Sequence, residues 1–145
     1  MRVLVVHGPN LNLLGEREPS IYGAITLAQL DEMVRQHGGE LGLEIRTFQS
    51  NHEGALIDEL HASRKWMQAL VINAGAYTHT SYAIRDAIAA VGVPAYEVHL
   101  SDLSAREPWR QVSVIADVCV AKIMGKGVGS YLEALERIAG TAGPR

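Results

Sequence analysis

The chain has one cysteine in 145 residues and therefore cannot form an internal disulfide. Cys119 lies in an apolar run, where we expect a buried structural thiol rather than a nucleophile. Charge is also nearly balanced, because 13 Lys and Arg face 16 Asp and Glu for a formal net charge of -3, and the basic residues are scattered. Such a chain offers no positive field to a nucleic-acid backbone. We therefore expect a cytoplasmic protein that does not bind nucleic acid.

Long apolar runs and several ligand motifs are missing as well. No run approaches the roughly 20 apolar residues that cross a bilayer, and the run at residues 3–6 is too short for a signal peptide. The glycine-rich nucleotide loops and the Gly-x-Ser-x-Gly nucleophile elbow are absent. His79 and His99 have no nearby cysteine or carboxylate at metal-motif spacing except Glu97, and one such pair is weak evidence for zinc. We expect no membrane partner, no metal and no cofactor.

Five short apolar runs, each typical of a β-strand, alternate with amphipathic patterns typical of helices. The strands are predicted at residues 3–6, 43–48, 69–72, 95–98 and 118–124. The helices are predicted at residues 26–37, 53–65, 81–90 and 130–139. Thr26 and Gln29 have capping-box spacing at the start of the first helix, and Gly38 with Gly39 is predicted to end it.

This alternation predicts one α/β domain over residues 1–145, a flavodoxin-like or Rossmann-like three-layer sandwich with a parallel sheet. The continuous apolar character of the first, third and fifth strands predicts that helices cover both faces of the sheet. Residues 101–113 break the pattern, because they are polar, contain Pro108 and show no sustained helical period. We interpret this segment as a long functional loop with room for one helical turn.

Ligands in open parallel sheets bind beyond the carboxyl ends of the strands, and four of the six histidines follow predicted strands there. They are His7, His52, His79 and His99. Each alone is more often a structural histidine, but their shared position favours a site. Glu97 lies two residues before His99 on a strand, so both side chains leave the same face and can form a carboxylate–histidine pair. An ordinary polar strand end is the equal alternative.

Two further arginine-containing patterns are ambiguous by themselves. Arg17 and Tyr22 share the loop at residues 15–23, which is long enough for a lid, and a guanidinium beside a tyrosine would lower the pKa of its hydroxyl. Arg106 and Arg110 are four residues apart, and on a helical turn both could face one anion. The competing explanation for Arg17 and Tyr22 is an ordinary surface loop without function. For Arg106 and Arg110 it is that both charges are simply solvated.

Taken together, the segments after the strands closely resemble type II 3-dehydroquinate dehydratases over nearly the whole chain. The resemblance rests on several motifs in the same order: His7-Gly8-Pro9-Asn10-Leu11-Asn12, Arg17-Glu18-Pro19, Tyr22-Gly23, Gln49-Ser50-Asn51-His52-Glu53, Asn73-Ala74-Gly75-Ala76-Tyr77-Thr78-His79, Glu97-Val98-His99-Leu100-Ser101 and Arg106-Glu107-Pro108. It implies a flavodoxin-like fold with a five-stranded parallel sheet. It also implies conversion of 3-dehydroquinate to 3-dehydroshikimate in the shikimate pathway, by anti elimination through an enolate, without metal, cofactor or Schiff base.

The resemblance assigns the catalytic roles residue by residue. Tyr22 matches the base, Arg17 the lid arginine that lowers the tyrosine's pKa, and His99 the acid that protonates the departing hydroxyl. Glu97 matches the partner that orients His99, and Asn12 the residue that holds a water against the enolate.

The remaining matches concern substrate contacts and assembly. The matching substrate contacts are Asn73, His79, Asp86, Leu100, Ser101, Arg106 and Arg110, with Asp86 acting from a neighbouring subunit. The resemblance further implies a homododecamer, a tetramer of trimers. Among the departures from the family pattern, His7 stands where Asn is frequent. Asp102 stands where Asn is common, and its charge near an anion site should weaken substrate binding.

Two other functions fit the same fold. A flavin or mononucleotide binder would need a hydroxyl-rich phosphate loop after the first strand, which this chain lacks. A phospho-receiver module would need an acidic cluster there and an aspartate ending the third strand, whereas this chain has His7 and Asn73 at those places.

Overall fold

The structure, a computed structural model, describes residues 1–16, 18–22 and 24–142, and the side chain of Tyr22 lies outside the description. Its sheet has five strands: β1 (Arg2–His7), β2 (Glu44–Gln49), β3 (Ala69–Asn73), β4 (Ala95–His99) and β5 (Ala121–Met124). Every neighbouring pair is parallel, and the order is β2-β1-β3-β4-β5. This order is that of a flavodoxin-like fold, which confirms the predicted class.

Helices cover both faces of this sheet. They are α1 (Pro19–Tyr22), α2 (Leu27–Glu40), α3 (Glu53–Ser63), α4 (Tyr82–Val91) and α5 (Val128–Thr141). One apolar cluster joins α2 and α5 to one face of the sheet, and a second joins α3 and α4 to the other. Successive residues of β1 enter opposite clusters, Val3 and Val5 the first and Leu4 and Val6 the second, as the two-residue period of a strand requires.

The prediction for the fifth strand was wrong at its start and in its burial. Ala116–Val118 forms a 3₁₀ turn, and pairing with β4 begins only where Ala121 lies opposite Tyr96. The strand lies at the sheet edge, so of its four residues only Ile123 is buried. Cys119 precedes the strand and is half-buried rather than buried, although its desolvation still raises the pKa of the thiol to about 12.

The first long helix starts as predicted but does not stop at the glycine pair. The Thr26 hydroxyl accepts the Gln29 backbone N–H and the Gln29 side chain accepts the Thr26 N–H, which completes the capping box. The helix then passes through Gly38 and Gly39 to Glu40. Gly38 serves packing rather than termination, because a Cβ atom there would lie 2.6 Å from Ile45 Cγ1.

The other boundaries shift by a few residues, as helix ends commonly do. Residues 101–113 hold two 3₁₀ turns, Leu103–Ala105 and Pro108–Gln111, where one helical turn was expected. Within the described ranges, none of the helices has the length and apolar character to span a bilayer.

Candidate active site

A pocket opens at the carboxyl edge of the sheet, beyond the ends of β1, β3 and β4. This is where strand order reverses, since β1 and β3 are neighbours whose connections leave on opposite sides. The residues that line it are Pro9, Asn10, Leu11, Asn73, Gly75, Ala76, His79, His99, Leu100, Ser101, Leu103, Arg106 and Arg110. Seven of the twelve predicted site residues line this pocket: Asn73, His79, His99, Leu100, Ser101, Arg106 and Arg110.

Two backbone segments, whose next residues line this pocket, come into close contact. The Gly8 N–H donates to the Asn73 carbonyl at 2.7 Å, and a Cβ atom on Gly8 would lie 2.5 Å from the Ala74 carbonyl carbon. Only glycine fits this approach. It carries the chain into Asn10, whose φ of 68° is left-handed, a conformation that asparagine tolerates better than most residues and that is often found at functional sites.

The predicted carboxylate–histidine pair is present and buried. His99 Nε2 lies 2.6 Å from Glu97 Oε2, and the two residues are 5% and 0% exposed. Ser113 donates a second hydrogen bond to the same carboxylate. The Glu97 carboxylate therefore accepts the Nε2 proton of His99, which orients the ring at the pocket wall and leaves Nδ1 as its second polar atom.

His79 presents a neutral ring to the pocket. Its Nδ1–H donates to the Val112 carbonyl at 2.7 Å, so Nε2 carries the free lone pair of the ring. Burial lowers the pKa of His79, the carbonyl contact opposes this shift, and the nearby His99 and Arg110 lower it further. The edge of the ring meets Trp109 with 5.3 Å between centroids. His79 is thus a fixed hydrogen-bond acceptor at neutral pH.

The two arginines of the 101–113 segment line the same pocket, which is the arrangement that their spacing allowed and that the competing explanation of solvated charge did not require. Arg110 stacks on Trp109, with its guanidinium carbon 4.1 Å from the ring centroid, and it pairs with Glu107, whose pKa it lowers. Arg106 Nη2 lies 3.9 Å from Glu18 Oε2. Two guanidiniums on one wall make the pocket attractive to an anion.

Some predicted residues lie away from this pocket. Asp86 is exposed on α4 and does not line it, and Asn12 is exposed in the turn beside it. His52 is exposed ahead of α3, and His7 is buried among other side chains. Arg17 and the Tyr22 side chain lie outside the described residues, although Tyr22 is the last residue of α1.

Among the residues of the site that were not predicted, two have polar side chains, Asn10 and Ser113. Asn10 lines the pocket whereas the predicted Asn12 does not, and the position of Asn10 directly before the turn Leu11–Leu13 could have indicated this. Ser113 reaches Glu97 from 16 residues along the chain, which no spacing rule indicates. No group of three potential metal-ligating His, Cys, Asp or Glu side chains occurs in the part of the chain that the structure describes.

Known proteins match this chain over almost its full length. The family described as "Dehydroquinase class II" matches residues 1–139. A 3-dehydroquinate dehydratase of Pelotomaculum thermopropionicum is 52% identical over 143 residues, 99% of each chain. A catabolic 3-dehydroquinase 1 of Neosartorya fischeri is 51% identical over 137 residues, 94% of this chain and 91% of its own.

Solved structures agree with the sequence relatives. The type II dehydroquinase of Butyrivibrio crossotus superimposes with a TM-score of 0.93 at 43% identity, covering 95% of this chain and 97% of its own. The sequence match and this structural match together show that the chain belongs to the class II dehydroquinase family.

Proposed function

We propose that this protein dehydrates 3-dehydroquinate to 3-dehydroshikimate, as a hydro-lyase of the shikimate pathway. The observation that carries the proposal is His99, which lines a pocket together with Arg106 and Arg110 and is hydrogen-bonded to the buried carboxylate of Glu97. An acid beside anion-binding groups suits a substrate that has both a departing hydroxyl and a carboxylate. Family membership and the names of the relatives support the same activity.

The proposed reaction is an anti elimination in two proton transfers. Tyr22, as phenolate, removes a proton from the carbon next to the ketone, and the electron pair moves onto the carbonyl oxygen to give an enolate. The enolate then re-forms the ketone as the carbon–oxygen bond of the hydroxyl breaks, and His99 gives that oxygen a proton so that water leaves. The product is a conjugated enone.

Tyr22 needs assistance to act as a base at neutral pH. An unperturbed phenol with a pKa of about 10 is roughly 0.1% ionised at pH 7, which corresponds to a deficit of about 4 kcal/mol. The motif places Arg17 in the same segment, and a guanidinium next to the phenolate would reduce this deficit. Both roles come from the family motif, and both groups belong to the proposed lid.

His99 acts as the acid through the ring nitrogen that Glu97 does not occupy. With Nε2–H bound to the carboxylate, Nδ1–H of the imidazolium is the proton available to the substrate. The buried negative charge of Glu97 offsets the positive charge of the protonated ring. Because Ser113 also holds this carboxylate, the acid is oriented from two sides.

Asparagine would stabilise the enolate, and Asn10 is better placed for this role than Asn12. Asn10 lines the pocket, whereas Asn12 is exposed and does not. The Asn10 backbone N–H is held by Asn51 Oδ1 at 2.9 Å, which fixes the left-handed turn. A side-chain amide or the water it holds can donate to a developing oxyanion.

The other side chains of the pocket serve substrate binding in this proposal. Arg106 and Arg110 attract the substrate's carboxylate, while Asn73, His79 and the Leu100–Ser101 turn contact its hydroxyl and carboxylate oxygens. The carbonyls of Leu100 and Ser101 accept the Gly127 and Gly125 N–H groups, which fixes this turn. In this proposal each chain is a single domain, and twelve chains assemble into a dodecamer in the cytoplasm. Asp86, which is exposed on α4, would then contact the substrate in the site of a neighbouring subunit.

To test the proposal, 3-dehydroquinate is added to purified protein in the presence of a chelator, and the absorbance of the enone product is measured over time. We expect steady product formation that borohydride treatment of the enzyme does not reduce, since no lysine Schiff base is involved. Tyr22→Phe and His99→Asn should each lower kcat by about 10²-fold or more. Folded wild-type protein without product formation would overturn the proposed activity, and a fully active Tyr22→Phe variant would remove the proposed base.

A further inference from the structure

Three consecutive residues, 112–114, connect the surroundings of the two pocket histidines, and we call them the bridging segment. They have no regular secondary structure and lie between two 3₁₀ turns. The Val112 carbonyl accepts the Nδ1–H of His79 at 2.7 Å. The Ser113 hydroxyl donates to the carboxylate that also accepts the Nε2–H of His99. One short piece of backbone thus contacts both histidine sites.

The bridging segment is attached to the fold at its far end. The Val114 N–H donates to the Thr78 carbonyl at 2.9 Å. Ile115, the next residue, is fully buried in the apolar cluster that α3 and α4 form with the sheet. The three residues of the segment are themselves exposed or half-buried, so they are not held by burial in the core. Contacts at residues 114 and 115 therefore do much to fix its position.

The side chain of Arg85 on α4 provides a further anchor for this end. Its Nη1 atom donates to the Val114 carbonyl at 3.2 Å and also forms an ion pair with Asp117. An Nη atom carries two hydrogens, so this single nitrogen can make both bonds. Asp117 holds the guanidinium, and the guanidinium holds the backbone of the segment. Arg85 does not line the pocket, so its effect on a bound substrate would pass through the segment.

The two histidines depend on the segment in different ways. Without the Val112 carbonyl, the proton of the neutral His79 ring can move to Nε2, which turns the acceptor in the pocket into a donor. Without the Ser113 hydroxyl, the buried Glu97 carboxylate loses one of the two side chains that stabilise it beside His99. A displaced segment would therefore weaken substrate binding at one histidine and proton donation at the other.

We propose that Arg85 is a positioning residue, which holds the bridging segment so that its carbonyl fixes the His79 tautomer and its hydroxyl orients the Glu97–His99 pair. The kinetic part of this inference rests on the proposed function, because the substrate is 3-dehydroquinate. The alternative is that Ile115 alone is a sufficient anchor and that Arg85 forms an ordinary surface ion pair, which contributes little.

Two double-mutant cycles separate the two effects. Arg85→Ala should lower kcat about threefold and raise KM about threefold, because hydrogen bonds made by the segment are weakened rather than removed. In the Ser113→Ala background the same change should no longer lower kcat, whereas its effect on KM should persist. In the His79→Ala background the effect on KM should disappear and the effect on kcat should persist.

The tautomer of His79 provides a readout that needs no turnover. It is measured from imidazole ¹⁵N chemical shifts at a pH well above the ordinary histidine pKa of about 6.5, with the signal assigned by its loss in His79→Gln. Wild-type protein should show Nδ1–H, and Arg85→Ala should show a mixture with Nε2–H. Arg85→Lys should restore part of the Nδ1–H form, because an ammonium also donates several hydrogens from one nitrogen.

Arg137→Ala is the matched control, since it removes an arginine–carboxylate ion pair on α5 that does not involve the segment. This variant should keep the wild-type kcat, KM and tautomer. Asp117→Ala, at an exposed position, is the second variant should Arg85→Ala not fold, and it should shift all three measurements in the same direction by less.

Unchanged kinetics and an unchanged tautomer in folded Arg85→Ala would overturn the positioning role. Equal changes of kcat and KM in every background would also overturn it, because they would indicate a general disturbance of the fold. Inactive wild-type protein would instead overturn the proposed function, while the tautomer would still test the role of Arg85.

Discussion

Ser113 holds the carboxylate of Glu97 with its hydroxyl, whose oxygen lies 2.9 Å from Oε1 and 3.0 Å from Oε2. The same carboxylate accepts a hydrogen bond from His99 Nε2, so two side chains stabilise a fully buried negative charge. A buried charge that loses a partner is costly, which gives Ser113 a part in holding the acid.

The first prediction concerns this pair. Glu97→Gln should lower kcat about 10²-fold because it removes the charge that offsets a protonated His99. Ser113→Ala should lower kcat up to about tenfold, since one hydrogen bond to a charged group is lost. Both are measured by steady-state kinetics across pH. Ser113→Thr is the matched control, because it retains the hydroxyl, and equal losses in the Ala and Thr variants would contradict the prediction.

A second prediction concerns the pH dependence of folding stability through His79. Its pKa is lowered by burial in the folded state, whereas about 6.5 applies in the unfolded chain, so the unfolded chain binds more protons between these values. Stability from this group is fully present above pH 6.5 and decreases as pH falls toward the lowered value. The His79→Gln variant has no imidazole to protonate at this position, so it does not lose this contribution to stability as the pH falls. The wild-type melting temperature minus that of the variant should therefore decrease from pH 7.5 to 5.5, and a constant difference would refute the assignment.

A third prediction uses the charge of Asp102. Its carboxylate accepts the Ser104 hydroxyl at 2.6 Å and N–H at 3.0 Å, and these bonds lower its pKa, so it is negative at neutral pH. It lines a groove that shares Arg106 with the active-site pocket. Asp102→Asn keeps the capping oxygen but removes the charge. KM should fall about twofold with kcat unchanged, and more at low salt than at high salt.

An unchanged or higher KM for Asp102→Asn at low ionic strength would show that this charge does not act on the substrate. Equal thermal stability of the two proteins is the control that the turn itself is intact.

A fourth prediction contrasts two adjacent glycines of α2. Gly39→Ala should stabilise the fold by up to about 1 kcal/mol, because alanine favours helix and a new Cβ meets nothing within 4 Å. Gly38→Ala should destabilise it by about 1–2 kcal/mol, since overpacking against Ile45 exceeds the same helical gain. Urea unfolding of both variants measures the difference, and stabilisation by both would show that Ile45 moves aside easily.

Much of the fold was predictable because periodicity reports burial. β3 is buried along its whole length, and its apolar run predicted this directly. The fifth strand was predicted wrongly because an apolar run is equally compatible with an edge strand that follows a 3₁₀ turn. Val120 is 63% exposed, but the sequence does not distinguish an exposed valine from a buried one. Gly38 misled for a related reason, because a glycine that ends a helix and one that admits a neighbouring side chain look alike in sequence.

The sequence by itself determined the strand–helix order, the family and the shared face of Glu97 and His99, since a two-residue spacing on a strand puts both side chains on one face. That the two side chains form a hydrogen-bonded pair was decided by the structure. Only the tertiary structure decided which of the four strand-end histidines share a pocket: His79 and His99 line it, His52 is exposed, and His7 joins Asp31 and Tyr131. Tertiary packing also brought Ser113 to Glu97. The physical reason is that hydrogen-bond partners distant in the chain are selected by the three-dimensional arrangement of strands and helices, which residue spacing does not encode.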